Sequence, residues 1–255
     1  MTTLDLLPYE TAPGPQNMAA DEVMLECATQ GRALLRFYGW TTATVSLGYF
    51  QSHLIREHDP LLAPLPFVRR PTGGGTLVHH HELTYALALP AQSAGVWATA
   101  WLRRVHKMIA AALDAMEVHV RHAGPLPAPD HPRHSTPHAS RPTPHALCFH
   151  QHAPVDLLIG QNKVLGSAQR KRRGAILQHG SVLLAQSPHT PTLPGIRELT
   201  GTAVGAQELA AAICDEWVRA TKWPFERGEW TTELRTLIEE QCRNKYSQPT
   251  WNRKR

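Results

Sequence analysis

The side chains able to do covalent or binding chemistry gather in two stretches, Phe67–Tyr85 (FVRRPTGGGTLVHHHELTY) and Cys148–Leu184. Cys148 precedes Phe149, His150 and His152. A thiol beside His150, His152 or Arg170 would be held as thiolate, the form that attacks carbonyls. The competing reading is a small, inert core residue. Lys163 opens a strand otherwise built of Val, Leu, Gly, Ser and Ala. Its amine would therefore approach a carbonyl or phosphate closely, unless it is a surface lysine on a hairpin. Gly166, Ser167 and Ala168 would let a ligand lie flat against the same strand.

In the first stretch, Gly73, Gly74 and Gly75 give up backbone entropy that an ordinary hairpin keeps. Either the chain turns sharply there, or a ligand approaches the backbone more closely than a side chain permits. Arg69 and Arg70 present donor forks suited to phosphate or carboxylate, or else end a strand in solvent. No Gly-Lys-Ser/Thr follows the glycines, and the dinucleotide spacing is absent, so neither phosphate-loop motif applies. The run His79-His80-His81 invites a metal. In a strand His80 would point away from the other two, and no carboxylate or cysteine pattern completes a site. No metal is expected, and His79 remains as the acid–base or substrate-contact candidate. The two stretches are expected to form facing walls of one pocket.

The elements that must position them follow from periodicity and turn residues. A helix begins at Asn17, a good N-cap, with Met18, Val23, Met24 and Cys27 at helical spacing. Leu34–Tyr38 and Thr44–Leu47 read as strands around the turn 39–42. Phe67–Arg70, Thr76–His79 and Leu83–Leu89 read as three more. Val96–Met116 reads as a long helix and Glu117–His122 as a strand. Residues 122–146 hold seven prolines and five histidines with almost no large apolar side chain. Such a segment buries too little to offset ordering and reads as a flexible insertion. Asp156–Ile159, Lys163–Gln169 and Ala175–Leu184 are again strands, the first two joined by a hairpin-like turn at Gly160–Asn162. Two helices follow, near Gly205–Thr221 and Thr231–Arg243. The expectation is a single α+β domain over residues 1–255, with largely antiparallel sheets flanked by helices.

The chain has 255 residues, 42% of them hydrophobic and 18% charged, with a net charge of +5 and a pI near 9.2. A real core is affordable, and acidic partners are plausible. Part of the basic excess is the tail Arg243–Arg255, which reads as a solvated end. Cys27, Cys148, Cys214 and Cys242 form no C-x-x-C pair, which argues against a zinc ribbon or a disulfide framework. Cys27, Cys214 and Cys242 read as apolar helical positions. Neither a signal peptide nor an apolar run of about 20 residues is visible, so a cytoplasmic protein is expected.

Together these stretches resemble the lipoate–protein ligase and octanoyltransferase family, which shares its catalytic domain with biotin protein ligases. Asn17–Leu25 (NMAADEVML) is similar to the family's N-terminal helix, and Leu35–Gln51 to its first hairpin. RRPTGGGTLVH (Arg69–His79) resembles its acyl-binding glycine motif, and Asn162–Leu184 its lysine strand and the strand after it. His80 and His81 stand where the family motif is usually acidic. The resemblance implies a class II aminoacyl-tRNA synthetase/biotin synthetase-like fold. One branch carries a nucleophilic cysteine, in a Cys-Phe pair, in the loop before the lysine strand, and Cys148-Phe149 matches it. That match implies an octanoyltransferase with catalytic Cys148 and Lys163, needing no cofactor. Arg69, Arg70, Gly73, Gly74, Gly75, His79, Gly166, Ser167 and Ala168 would bound the substrate. The implied partners are octanoyl-acyl carrier protein and a lipoyl-domain acceptor such as glycine-cleavage H protein, with no nucleic acid or membrane. The rivals are an ATP-dependent lipoate ligase, with Arg69 and Arg70 on phosphate, and a non-catalytic acyl- or lipoyl-binding relative.

Overall fold

The computed structural model describes residues 3–94, 98–124 and 147–255. Residues 125–146 of the expected His/Pro-rich insertion, and the start of the long helix at 96–97, lie outside the described residues.

A nine-stranded sheet forms the frame. Its centre is β3 (Leu34–Trp40), β7 (Glu82–Leu89), β11 (Ala175–Leu183) and β10 (Asn162–Arg172), all antiparallel neighbours. Beyond β10 come β9 (Leu157–Ile159) and β8 (Arg121–His122). On the other edge, β1 (Leu4–Leu6) runs parallel between β3 and β12 (Phe225–Arg227), and β2 (Glu10–Ala12) lies parallel to β3. Every residue of β7 is buried, as a strand covered on both faces requires. After the short α2 (Ala91–Ala94) and α4 (Ile196–Thr200) respectively, helices α3 (Ala98–Asp114) and α5 (Ala206–Thr221) pack on one face, with Trp101, Val105, Ile109 and Trp217 in the core between. Helices α1 (Gly14–Thr29) and α6 (Thr232–Gln241) cover the other face, with Met18, Met24, Leu25 and Ile238. The fold is the expected α+β arrangement of largely antiparallel sheet and flanking helices.

A second, three-stranded sheet carries the glycine loop. Its middle strand β4 (Thr44–Leu47) runs parallel to β5 (Phe67–Arg69) and antiparallel to β6 (Leu77–His79). Here the sequence reading needs correcting. β3 and β4 do not form a hairpin: β3 already has β1 and β7 as neighbours, so the turn at 41–43 hands the chain to the other sheet. β5 and β6 do not pair with each other either, but flank β4 from opposite sides. Because β6 ends at His79, strand alternation does not govern His80 and His81, whose rings stack 3.7 Å apart.

Two further boundaries differ. α1 starts at Gly14 with Pro15 in its first turn, where the missing N–H costs nothing. Asn17 is inside the helix, and its amide donates to Ala12 O (3.1 Å) and Gly39 O (3.0 Å). Of the expected strand 117–122 only Arg121–His122 pairs, since Glu117 turns into the left-handed region at φ 61°. The two-residue turn at Gly160 and Gln161, with Gly160 at φ 59°, is as expected. Among the described residues no helix is long and apolar enough to cross a membrane.

Candidate active site

The glycine loop is held from behind by Arg70. Its Nη1 donates to Ser46 O (2.7 Å) and Ser46 Oγ (2.6 Å), and its Nη2 to Gly73 O (3.2 Å) and Gly75 O (2.8 Å). Burial lowers its pKa to about 10, still a cation at neutral pH. Gly74 sits at φ +94°, and a Cβ on Gly48 would lie 2.0 Å from Gly74 O. Glycine is therefore required at both positions for backbone to pass this close to backbone. His79 is buried at the loop's far end. Its Nδ1 meets Glu82 Oε1 at 2.6 Å, its Nε2 meets Ser46 Oγ at 2.6 Å, and its ring stacks on Trp40 at 3.8 Å. Burial lowers its pKa, with Glu82 opposing.

Arg69 does not reach the pocket. Fully buried, it donates to Gly48 O, Tyr49 O, Gln51 O, Trp251 O and Asn252 O at 2.6–3.2 Å. The segment expected to be a solvated tail is thus partly packed: α7 (Pro249–Asn252) closes against β5, with Asn252 buried.

The opposite wall is β10 with the single turn at Cys148–His150. Cys148 N donates to Thr76 O (2.8 Å), which stitches the thiol-bearing turn to the end of the glycine loop. Lys163 is buried and reaches back under this turn. Its Nζ lies 2.8 Å from Asp156 Oδ2, 3.2 Å from Gln151 O, 3.3 Å from Cys148 O and 3.9 Å from Cys148 Sγ. A bulge between Lys163 and Leu165 breaks the β9–β10 register at this point. Gly166 makes the space: a Cβ there would lie 2.5 Å from Lys163 Cε and 2.8 Å from its Nζ. Lys163 is therefore a cation beside the sulfur, and Arg70 across the cavity is close enough to interact electrostatically with Cys148. Of the groups expected to attend Cys148, His150 is exposed and bonded to Thr192, and Arg170 donates to Pro71 O (2.7 Å).

Between the walls lies a cavity of about 60 Å³ that opens to solvent. Arg70, Gly73, Gly74 and His79 line one side, and Cys148, Gly166, Ser167 and Ala168 the other. Its exposed lining is mainly apolar. Gly75 contributes its carbonyl to Arg70 and does not line the space. Among the described residues no cluster of three His, Cys, Asp or Glu is arranged to hold a metal.

Two buried networks fix these walls, and sequence reasoning missed both. In one, His179 joins Thr72 Oγ1 (2.7 Å) of the glycine loop to Asp21 Oδ2 (2.8 Å) of α1, and Asp21 pairs with Arg36 at 2.6 Å. Burial alone would raise the Asp21 pKa, but Arg36 and His179 outweigh it and hold the carboxyl low. In the other, Ser167 Oγ lies 2.7 Å from both Tyr85 OH and His106 Nε2, and Gln178 Nε2 donates to Tyr85 OH at 2.8 Å. Burial pushes Tyr85 up to about 12 and His106 down to about 4. His106 is accordingly neutral. Its Nδ1–H donates to Val155 O (2.6 Å) and its Nε2 accepts from Ser167, which accepts from Tyr85. Only Ser167 of these groups was legible. The others come from α1, α3, β3, β7, β11 and the glycine loop, with no local motif to mark them.

Residues 13–191 match the model of the lipoyl protein ligase A/B catalytic domain. The octanoyltransferase LipM of Symbiobacterium thermophilum is 37% identical over 187 residues, covering 72% of this chain and 66% of that protein. The octanoyltransferase LipM of Geobacillus kaustophilus is 30% identical over 277 residues, covering 95% of each. Among solved structures, Ta0514 of T. acidophilum, a proposed lipoate protein ligase, superimposes with a TM-score of 0.78 at 22% identity, covering 100% of both chains.

Proposed function

The chain belongs to the lipoyl protein ligase A/B catalytic-domain family as an octanoyltransferase of protein lipoylation, and we propose that it transfers the acyl group in two steps through Cys148. The observation that carries this reading is Lys163 Nζ, seated 3.9 Å from Cys148 Sγ beside an apolar cavity. An ammonium at that distance favours negative charge developing on the sulfur or on an acyl oxygen next to it.

In the first step Cys148 Sγ attacks the carbonyl carbon of octanoyl-acyl carrier protein. The new S–C bond replaces the old one, and the carrier's thiol leaves with the proton. Lys163 has three N–H donors, and Asp156 Oδ2, Gln151 O and Cys148 O take them in the resting site. Releasing Cys148 O, the longest of these, frees one for the acyl oxygen. In the second step the amine of a lipoyl-domain lysine attacks the thioester, forms the amide and returns the Cys148 thiol. The glycine-cleavage H protein is the proposed acceptor. The acyl chain occupies the cavity between Gly73–Gly74 and Gly166–Ala168.

The ligase reading required Arg69 and Arg70 to hold phosphate, yet both guanidinium groups are engaged by backbone carbonyls. Incubation with octanoyl-acyl carrier protein in the absence of ATP, followed by intact mass measurement, tests the proposal. The expected result is an octanoyl adduct that is absent in Cys148→Ser. No adduct without ATP overturns it.

A further inference from the structure

Beside the glycine loop, and outside the cavity, lies a cationic and aromatic face that the transfer chemistry does not use. Phe50 is 71% exposed and packs edge-on against Tyr49, with ring centres 4.9 Å apart. Lys254 Nζ stands 3.4 Å from the centre of the Tyr49 ring and 3.7 Å from that of Trp251. The Arg255 guanidinium lies 5.3 Å from the Phe50 ring centre, and that of Arg170 lies 5.8 Å from Tyr49. Among the described residues none of Arg170, Arg253, Lys254 and Arg255 is paired with a carboxylate. The nearby acids have local partners: Glu57 faces His53 (4.0 Å), and Asp59 accepts from the Leu61 amide (2.9 Å).

These cations are not loose. Arg255 O accepts from His53 N (2.9 Å), Trp251 Nε1 donates to Arg69 O (2.9 Å), and Arg69 N donates to Asn252 Oδ1 (2.9 Å). A preorganised face gives up less entropy when a partner docks. Its place is set by the backbone. Tyr49 N donates to Thr72 O and Cys148 N to Thr76 O, each at 2.8 Å, so the glycine loop stands between the face and the thiol, and none of Tyr49, Phe50, Lys254 and Arg255 lines the cavity.

We infer that this face docks the acidic carrier protein that donates the acyl thioester, with Phe50 as apolar anchor and Arg170, Lys254 and Arg255 as its charged surround. The inference rests on the octanoyl-transfer reading above. The intervening loop selects the donor over the acceptor: a carrier presents its thioester on a long arm that can pass the loop, whereas an acceptor lysine has only its own short stem. The surround supplies charge complementarity to an acidic protein and the exposed ring a desolvated contact.

The test uses Phe50→Asp and the pair Lys254→Glu/Arg255→Glu, with two readouts. Fluorescence anisotropy in a Cys148→Ser background measures binding of labelled octanoyl-acyl carrier protein without chemistry. Single-turnover acylation by octanoyl-pantetheine, which lacks the carrier, measures the thiol and cavity. Both variants should weaken carrier binding at least about tenfold, and wild-type binding should weaken with salt. The pantetheine rate should stay unchanged. Unaltered carrier affinity overturns the inference. So does a matching fall in the pantetheine rate, or a defect that appears with the lipoyl-domain acceptor and not with the carrier. If wild-type protein is acylated by neither thioester, the transfer reading fails, and the anisotropy titration still decides the docking face.

Discussion

Replacing Gly166 by alanine should slow acylation of Cys148 by about a hundredfold while leaving the protein folded. Gly166 lies in β10 without a positive φ, so the backbone itself accepts alanine. The added Cβ would stand 2.5 Å from Lys163 Cε and 2.8 Å from Nζ, where ordinary contact is 3.4–4 Å. Relief requires the lysine to move by about 1 Å, because β10 is paired on both sides. Such a shift cannot preserve all three contacts of Nζ, to Asp156, Gln151 and Cys148. A misplacement of about 1 Å costs ~10²-fold in rate, or about 2.7 kcal/mol of activation free energy. Stability should change less. Overpacking costs about 1–3 kcal/mol, and the lower chain entropy of alanine returns about 0.5–1 kcal/mol. The melting temperature should therefore fall by only a few degrees. Single-turnover acylation followed by intact mass, beside a thermal melt, separates the two effects. A Gly166→Ala protein that acylates at the wild-type rate would refute the role given to Lys163 and its glycine-made space.

Arg69→Ala should act on stability instead, because it deprives five buried or half-buried carbonyls of their donor. A loss of roughly 3–5 kcal/mol is expected, and with it a fall in melting temperature of about 6–20 °C. Equal melting with lost activity would instead return Arg69 to a substrate-binding role. His106 makes stability depend on pH. Burial holds its folded pKa near 4, below its ordinary 6.5, so the unfolded chain takes up the proton first on acidification. The stability is fully present above pH 6.5 and falls as pH drops toward 4, by on the order of 3 kcal/mol at most. Urea titrations at pH 7, 5.5 and 4.5 should show that slope, and His106→Gln should flatten it.

The residue types at the two walls were legible because each is a local signal. Three glycines, a cysteine before an aromatic and two histidines, and a lysine heading a strand of small residues mark the walls wherever the rest of the chain goes. β7 was legible too, as the strand Leu83–Leu89, one residue short of its observed start. The roles of the charged residues were not local. Arg69 and Arg70 are adjacent and chemically alike, yet one holds the glycine loop and the other holds a segment 182 residues away. His179 finds Asp21 across 158 positions, and Ser167 finds Tyr85 across 82. A buried polar group must be paired, but which partner reaches it depends on how strands from distant parts of the chain align in the sheet. Sequence therefore determined what chemistry was on offer. Tertiary structure decided which cation stands at the sulfur, because only packing brings the Lys163 amine beneath Cys148 and turns Arg170 toward Pro71.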